Sequence, residues 1–231
     1  MNDDRVRTFI KGLDEQMNGG IPVGHVVLIA GRPGTMKSSL AFNVLYRNAK
    51  EKSLGGLYVT LEQSRDSLLA TMQGLGMDIK EVEKNLVVLD IGLIRKKLKQ
   101  LGAKSWMEVF KMYVDNLDKT MNLDLMVLDS LPVLEVMAKF VEPREDLFRL
   151  MEWLRDLGLT TFIIAEMQQD SNKFCNYGED FLSDGIFHMD LRREDNSVNL
   201  FLGVAKMRKT AHRRGYFPLI FDRTGFEVVT H

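Results

Sequence analysis

Residues 31–38 read Gly31-Arg32-Pro33-Gly34-Thr35-Met36-Lys37-Ser38, two spaced glycines followed by a lysine and a hydroxyl side by side. Glycines at this spacing permit a tight turn whose successive N–H groups converge into a nest for an anion, and a helix starting directly behind it adds the positive end of its dipole. Phosphate is the guest this chemistry favours. Lys37 would bring a mobile charge to the β- and γ-phosphates and act in catalysis, and the Ser38 hydroxyl would ligate Mg²⁺. The expected nucleotide-binding set is therefore Gly31, Arg32, Pro33, Gly34, Thr35, Met36, Lys37, Ser38 and Ser39, for a nucleoside triphosphate with Mg²⁺.

Met36 is the one misfit, because a phosphate-binding loop of this type carries glycine there. An L-residue held at positive φ costs about 1–2 kcal/mol. Either Met36 accepts that conformation, or the loop re-forms with negative φ and one N–H leaves the nest. The expectation is bound nucleotide with slow turnover.

Two carboxylates complete the chemistry. Leu125-Met126-Val127-Leu128-Asp129 is an apolar run ending in aspartate, the pattern of a strand that delivers a carboxylate to a Mg²⁺ shell, so Asp129 joins Ser38 as a metal candidate. Glu62 ends the run Leu57-Tyr58-Val59-Thr60-Leu61 and could take a proton from an attacking water; its alternative reading is a helix-start carboxylate ahead of Ser64. Farther on, residues 207–216 gather Arg208, Lys209, His212, Arg213 and Arg214. Such a run is either a solvated turn or a source of positive charge for a phosphate.

The elements that must position these groups follow from periodicity. His25–Ala30 reads as a buried strand, and Ser38–Ala49 as a helix with Leu40, Val44, Leu45 and Ala49 on one face. Leu57–Leu61, Asn85–Asp90, Leu123–Asp129 and Thr160–Glu166 read as further strands. Ser64 caps a helix with the stripe Leu68, Leu69, Met72 and Leu75; Leu93–Thr120 reads as mostly helical with a break near Gly102; Pro143 opens a helix burying Leu147, Leu150, Met151 and Leu154. Short apolar strands alternating with helices specify an α/β fold with a mainly parallel twisted sheet covered on both faces. Beyond Asp184, Ile186–Leu191, Val198–Lys206, Phe217–Phe221 and Phe226–Val229 read as an antiparallel extension, with residues 194–197 a turn. No linker divides the 231 residues, so one domain over 1–231 is expected.

Composition narrows the function. With 31 basic and 32 acidic residues the net charge is −1, so any nucleic-acid role must come from a local patch. A single cysteine, Cys175, excludes an internal disulfide framework and suits a reducing cytoplasm. No apolar run approaches the roughly eighteen residues of a membrane span, and the start lacks a signal-peptide core, so a cytoplasmic protein without a membrane partner is expected. The 14 methionines are scattered and read as core filler.

In order, Lys11-Gly12-Leu13-Asp14, Gly19-Gly20-Ile21-Pro22, the phosphate loop, Tyr58-Val59-Thr60-Leu61-Glu62, Asp129-Ser130, Ser183-Asp184-Gly185 and Lys206-Met207-Arg208 to His212 resemble the KaiC-like branch of the RecA/RadA ATPases. The resemblance runs from about Thr8 to Val229. The resemblance implies a RecA-type core, ATP with Mg²⁺ as cofactors, and homo-oligomers, rings or filaments with a hexameric ring as the expected form, with nucleotide at subunit interfaces. It makes Glu62 the catalytic base and sends Lys206 and Arg208 to the neighbour's phosphate. Single- or double-stranded DNA is the macromolecular partner found among RadA-like paralogues. It also suggests a polar γ-phosphate sensor at Gln168 or Gln169. Two departures argue for slow catalysis: Met36, and Gln63 where many KaiC domains carry a second glutamate. Clock KaiC has two tandem domains and an adjacent Ser-Thr phosphoacceptor pair; this chain has one domain, and Asp180-Phe181 occupy the pair's positions, which disfavours an autokinase.

Overall fold

The computed structural model describes residues 5–92, 106–168, 173–175, 177–194 and 197–230. Among the described residues eleven strands are present: β1 (Arg5–Val6), β2 (Ile21–Pro22), β3 (Val26–Gly31), β4 (Gly55–Thr60), β5 (Leu86–Asp90), β6 (Leu123–Asp129), β7 (Thr160–Glu166), β8 (Gly185–Glu194), β9 (Ser197–Met207), β10 (Tyr216–Asp222) and β11 (Gly225–Val228). Among the described residues the helices are α1 (Lys37–Lys52), α2 (Arg65–Gly74), α3 (Trp106–Met121), α4 (Leu131–Ala138), α5 (Pro143–Asp156) and the short α6 (Glu179–Leu182).

Nine strands form one sheet in the order β11-β10-β9-β8-β3-β7-β6-β4-β5, while β1 and β2 pair by themselves. From β8 to β5 every neighbour is parallel, and β9, β10 and β11 extend the β8 edge antiparallel. Residues 26–31 and 55–60 are buried without interruption, as strands covered on both faces must be. Alternate residues serve two cores. Val27 and Ile29 pack with Leu40, Val44, Leu45 and Ala49 of α1, whereas Val26 and Leu28 pack with Leu134 of α4 and Leu147, Leu150 and Leu154 of α5.

Several expected elements appear residue for residue: Leu123–Asp129, Thr160–Glu166, and the helix from Pro143 with Leu147, Leu150, Met151 and Leu154 buried. Ser64 accepts from the N–H of Ser67 at 3.3 Å and caps α2. Helix α1 begins one residue earlier and ends three residues later than Ser38–Ala49. The expected strand Ile186–Leu191 is longer and mixed, parallel to β3 on one side and antiparallel to β9 on the other. Of the expected helical stretch Leu93–Thr120, residues 93–105, including the break near Gly102, lie outside the described residues, as do residues 195 and 196 of the turn.

Helix α4, which follows Ser130 directly, has no counterpart among the sequence expectations. Its stretch, Leu-Pro-Val-Leu-Glu-Val-Met-Ala, places a proline and two valines where a helix signal is weak, yet a proline in the first turn forfeits no helical hydrogen bond. The N-terminal segment is fastened by Asp14, whose Oδ1 accepts from the Thr8 N–H at 2.9 Å and the Thr8 hydroxyl at 2.7 Å. Gly20, at φ 134°, lies so close to Val6 that a Cβ would stand 2.3 Å from its carbonyl oxygen, which accounts for glycine there.

Candidate functional site

The order of the strands brings the candidate residues to one edge. Strand β7 lies between β3 and β6, and β4 lies beyond β6, all parallel, so their C-terminal ends open on the same side. Gly31 is level with Glu166, and Thr60 with Asp129. A cavity of about 380 Å³ follows from this arrangement, lined by the loop residues Pro33 to Ser39 and by Glu62, Asp129, Ile164 and Glu166. Gly31 ends β3, and Arg32 leads from it into the turn behind the cavity.

Met36 stands at φ 62° and ψ 26°, directly ahead of α1. Of the two alternatives open in the sequence, the loop takes the left-handed one, so the backbone keeps the nest and the strain resides in the methionine. Its side chain packs against the α1-side core. Thr35 is fully buried and donates from Oγ1 to the Arg32 carbonyl at 2.8 Å, bracing the turn from inside.

Lys37 donates from Nζ to the same Arg32 carbonyl at 2.9 Å, so its ammonium rests across the loop. Burial pushes its pKa below the ordinary lysine value, opposed by Glu166, Asp129 and Glu62. One ammonium thus faces three carboxylates. With these carboxylates present, a divalent cation accompanying a polyphosphate would offset their charge.

Asp129 is 5% exposed. Burial raises its pKa, and hydrogen bonds from Tyr58 and Ser38 pull it back. The Tyr58 hydroxyl donates to Oδ2 at 2.5 Å, and the Ser38 hydroxyl lies within hydrogen-bonding reach of both groups. Among the described residues no cluster of three or more His, Cys, Asp or Glu could cage a metal. A single buried carboxylate beside a serine hydroxyl at an anion nest suits Mg²⁺, which keeps several waters and takes its other ligands from phosphate. Ser38 and Asp129 would hold it.

Glu62 is exposed to the cavity, and one of its oxygens accepts from the Ser130 hydroxyl. The Asp129–Ser130 peptide is cis. Gln63 contributes its backbone carbonyl, which accepts from Thr60 Oγ1 at 2.8 Å. The sequence expectations give Tyr58, Ser130 and Glu166 no role in the site. The signals were their places: Glu166 closes a parallel strand beside the loop strand, and Tyr58 and Ser130 stand in the motifs that carry the resemblance. Gln168 follows β7 and is exposed, and Gln169 lies outside the described residues.

Lys206 and Arg208 are not part of this cavity. Met207 is level with Gly185, and the Arg208 N–H bonds to the Asp184 carbonyl, while the Asp184 N–H bonds to the Val26 carbonyl. That is the starting end of β3, about 16 Å of strand away from Gly31. Lys206 donates from Nζ to the carbonyls of Asp180 at 2.8 Å, Phe181 at 3.3 Å and Ser183 at 2.7 Å. Arg208 donates to Asp184 Oδ1 at 2.9 Å and to the Phe181 carbonyl at 3.1 Å. Asp184 also takes Arg155 at 3.4 Å and the Val26 N–H at 3.1 Å on its other oxygen. Although burial alone would raise it, these partners hold the Asp184 carboxyl below its usual value. The triplet Ser183-Asp184-Gly185 is accordingly the mount on which the end of β9 is fixed. His212 is half-buried, and its Nδ1 has no hydrogen-bond partner.

The model of the KaiC ATPase family matches residues 6–231. The chain belongs to that family. It is 27% identical over 228 residues to the circadian clock oscillator protein KaiC of Rippkaea orientalis, covering 97% of this chain but 44% of that protein. It is 30% identical over 235 residues to a UPF0273 protein of Aeropyrum pernix, covering 97% of this chain and 93% of that one. A solved KaiC-like protein of Pyrococcus horikoshii superposes with a TM-score of 0.83 at 28% identity, over 98% of this chain and 99% of the other. The chain therefore spans less than half of the clock protein and nearly the whole of the archaeal relatives. A KaiC ATPase domain of the RecA type, with an ATP-binding role, is the common ground. Among the described residues no helix is long and apolar enough to cross a membrane.

Proposed function

We propose that the protein is a slow, Mg²⁺-dependent ATPase that works as a homo-oligomer, a ring of the RecA kind, in a regulatory or DNA-related role. The observation that carries this reading is the convergence of Lys37, Ser38, Asp129 and Glu62 on one cavity beneath an intact anion nest. The loop N–H groups hold the phosphates, and Lys37 moves from the Arg32 carbonyl to them. Ser38 and Asp129 would hold Mg²⁺, which would screen the charge of the phosphates. Glu62 takes a proton from water as the water oxygen bonds to the γ-phosphorus and the bond to ADP breaks.

Slowness is supported by what the isolated chain withholds. A transferring phosphoryl group needs an added cation, and Lys206 and Arg208 sit at the far end of the sheet from their own cavity. They serve a neighbour's phosphate, so that rate depends on assembly. Measuring oligomeric mass and hydrolysis together, with and without ATP and single-stranded DNA, tests the proposal. ATP-dependent assembly with hydrolysis rising with protein concentration is the expected result; a monomer at all concentrations with unchanged turnover overturns it.

A second reading, an ATP-dependent interaction module that hydrolyses almost nothing, is favoured by Gln63 and by the engagement of all three Lys206 donors. It requires nucleotide-driven assembly without phosphate release.

A further inference from the structure

Tyr58 is fully buried in β4, two residues short of the strand's end, and Val127 is level with it while Asp129 is level with Thr60. Its ring therefore slants along the strand to reach the neighbouring carboxylate. Phe42 of α1 packs against the ring at 5.5 Å between centroids, so the phenol is wedged between the sheet and the helix that begins with Lys37 and Ser38. A buried phenol at this place satisfies no packing need that phenylalanine would not meet. What phenylalanine lacks is the hydroxyl, and that hydroxyl has Asp129 Oδ2 at 2.5 Å.

We propose that Tyr58 is a positioning residue for the cation: it holds Asp129 by one carboxylate oxygen, leaving the other oxygen and the Ser38 hydroxyl to face the phosphates. The inference rests on the nucleotide reading given above. An ionised carboxylate that is 5% exposed needs donors, and in this site the nearby ones are Tyr58 and Ser38. If Ser38 were the sole donor, its hydroxyl would be tied to Asp129 and turned away from a metal. Tyr58 frees it. A fixed donor on one oxygen also denies Asp129 the rotation needed to clasp a cation with both, which would suit an ion that keeps several of its waters.

The test is a titration of Mg²⁺ against a fluorescent ATP analogue bound to the full chain, for the parent protein and Tyr58→Phe. Orienting partners of metal ligands change metal affinity by about 10–100-fold when removed. The Mg²⁺ concentration for half-maximal enhancement of binding should rise at least about tenfold in Tyr58→Phe, with metal-free nucleotide binding unchanged. In an Asp129→Asn background the same substitution should have no further effect. An unchanged half-saturation, or an equal shift in the Asp129→Asn background, overturns the assignment. Should Tyr58→Phe fail to fold, 3-fluorotyrosine placed at position 58 alone keeps the shape and alters only donor strength; an unmoved half-saturation then overturns it. If the parent protein itself shows no Mg²⁺-enhanced nucleotide binding, the nucleotide reading fails instead.

Discussion

The hydroxyl of Ser130 donates to Oε1 of Glu62, joining the residue after the β6 aspartate to the carboxylate that follows β4. This bond holds Glu62 from the side of Asp129, so the proposed base and the proposed metal carboxylate share one support.

Glu62→Gln should cut hydrolysis by about 10²–10⁴-fold, the usual weight of a positioned base, while leaving nucleotide affinity intact. Ser130→Ala removes one hydrogen bond to a charged group, worth about 1.5–3 kcal/mol, and should lower kcat by roughly ten- to hundredfold with KM unmoved. Steady-state kinetics on both variants, beside direct nucleotide binding, checks the pair. Equal loss of binding and turnover in Ser130→Ala would show that the bond holds the loop together and does not aim the base.

Met36→Gly relieves about 1–2 kcal/mol of left-handed strain at φ 62° but gives up the packing of the methionine against the α1-side core, so Tm should move by less than about 4 °C in either direction. The strain is present before any ligand arrives, so nucleotide affinity and hydrolysis should barely change. A large gain in turnover would place the handicap in the loop after all.

Arg208→Ala should spare nucleotide binding by the single chain but lower hydrolysis by the assembled protein, by about 10³-fold if it carries the weight of an arginine supplied in trans. Mixing Arg208→Ala with Lys37→Ala chains separates the roles, since each lacks what the other retains and mixed assemblies should recover activity. No recovery on mixing would confine Arg208 to its own chain, where it steadies Asp184.

Stability should depend on pH through Glu135 of α4, which shares a hydrogen bond with the fully buried Glu179 of α6. Burial and the Glu179 charge raise the Glu135 carboxyl to about 7, and Glu166 and Cys175 line the same small cavity. A carboxyl held protonated in the fold contributes stability that is full below its ordinary value near 4.5 and is lost as pH climbs through about 7. Glu135→Gln should therefore flatten the fall of Tm between these limits and leave the variant the more stable protein above them. His25 and His188, both lowered chiefly by burial, act in the opposite sense on the acid side of their ordinary value, and the difference between parent and variant cancels them.

The sheet and the phosphate loop were legible because continuous apolar runs such as Leu125–Leu128 have no stable place except a strand covered on both faces. The helix from Pro143 was legible for a related reason, its buried residues recurring at helical spacing. Helix α4 was not, since Leu131-Pro132-Val133 carries little intrinsic helix signal and its place is set by packing on the sheet. The site divides in the same way. Ser38, Asp129 and Glu62 are announced by their positions after strands, whereas the partners of Tyr58 and Ser130 depend on which strands lie side by side, and that order is tertiary information.

Lysine has three N–H donors, and Lys206 gives all of them to the carbonyls of residues 180, 181 and 183. Whatever claims its ammonium must loosen that stretch at the same moment. The two events form one equilibrium, and thermodynamic linkage makes them reciprocal: a ligand or substitution that unfastens residues 180–183 strengthens the hold of the claimant by the same factor with which the claimant unfastens them.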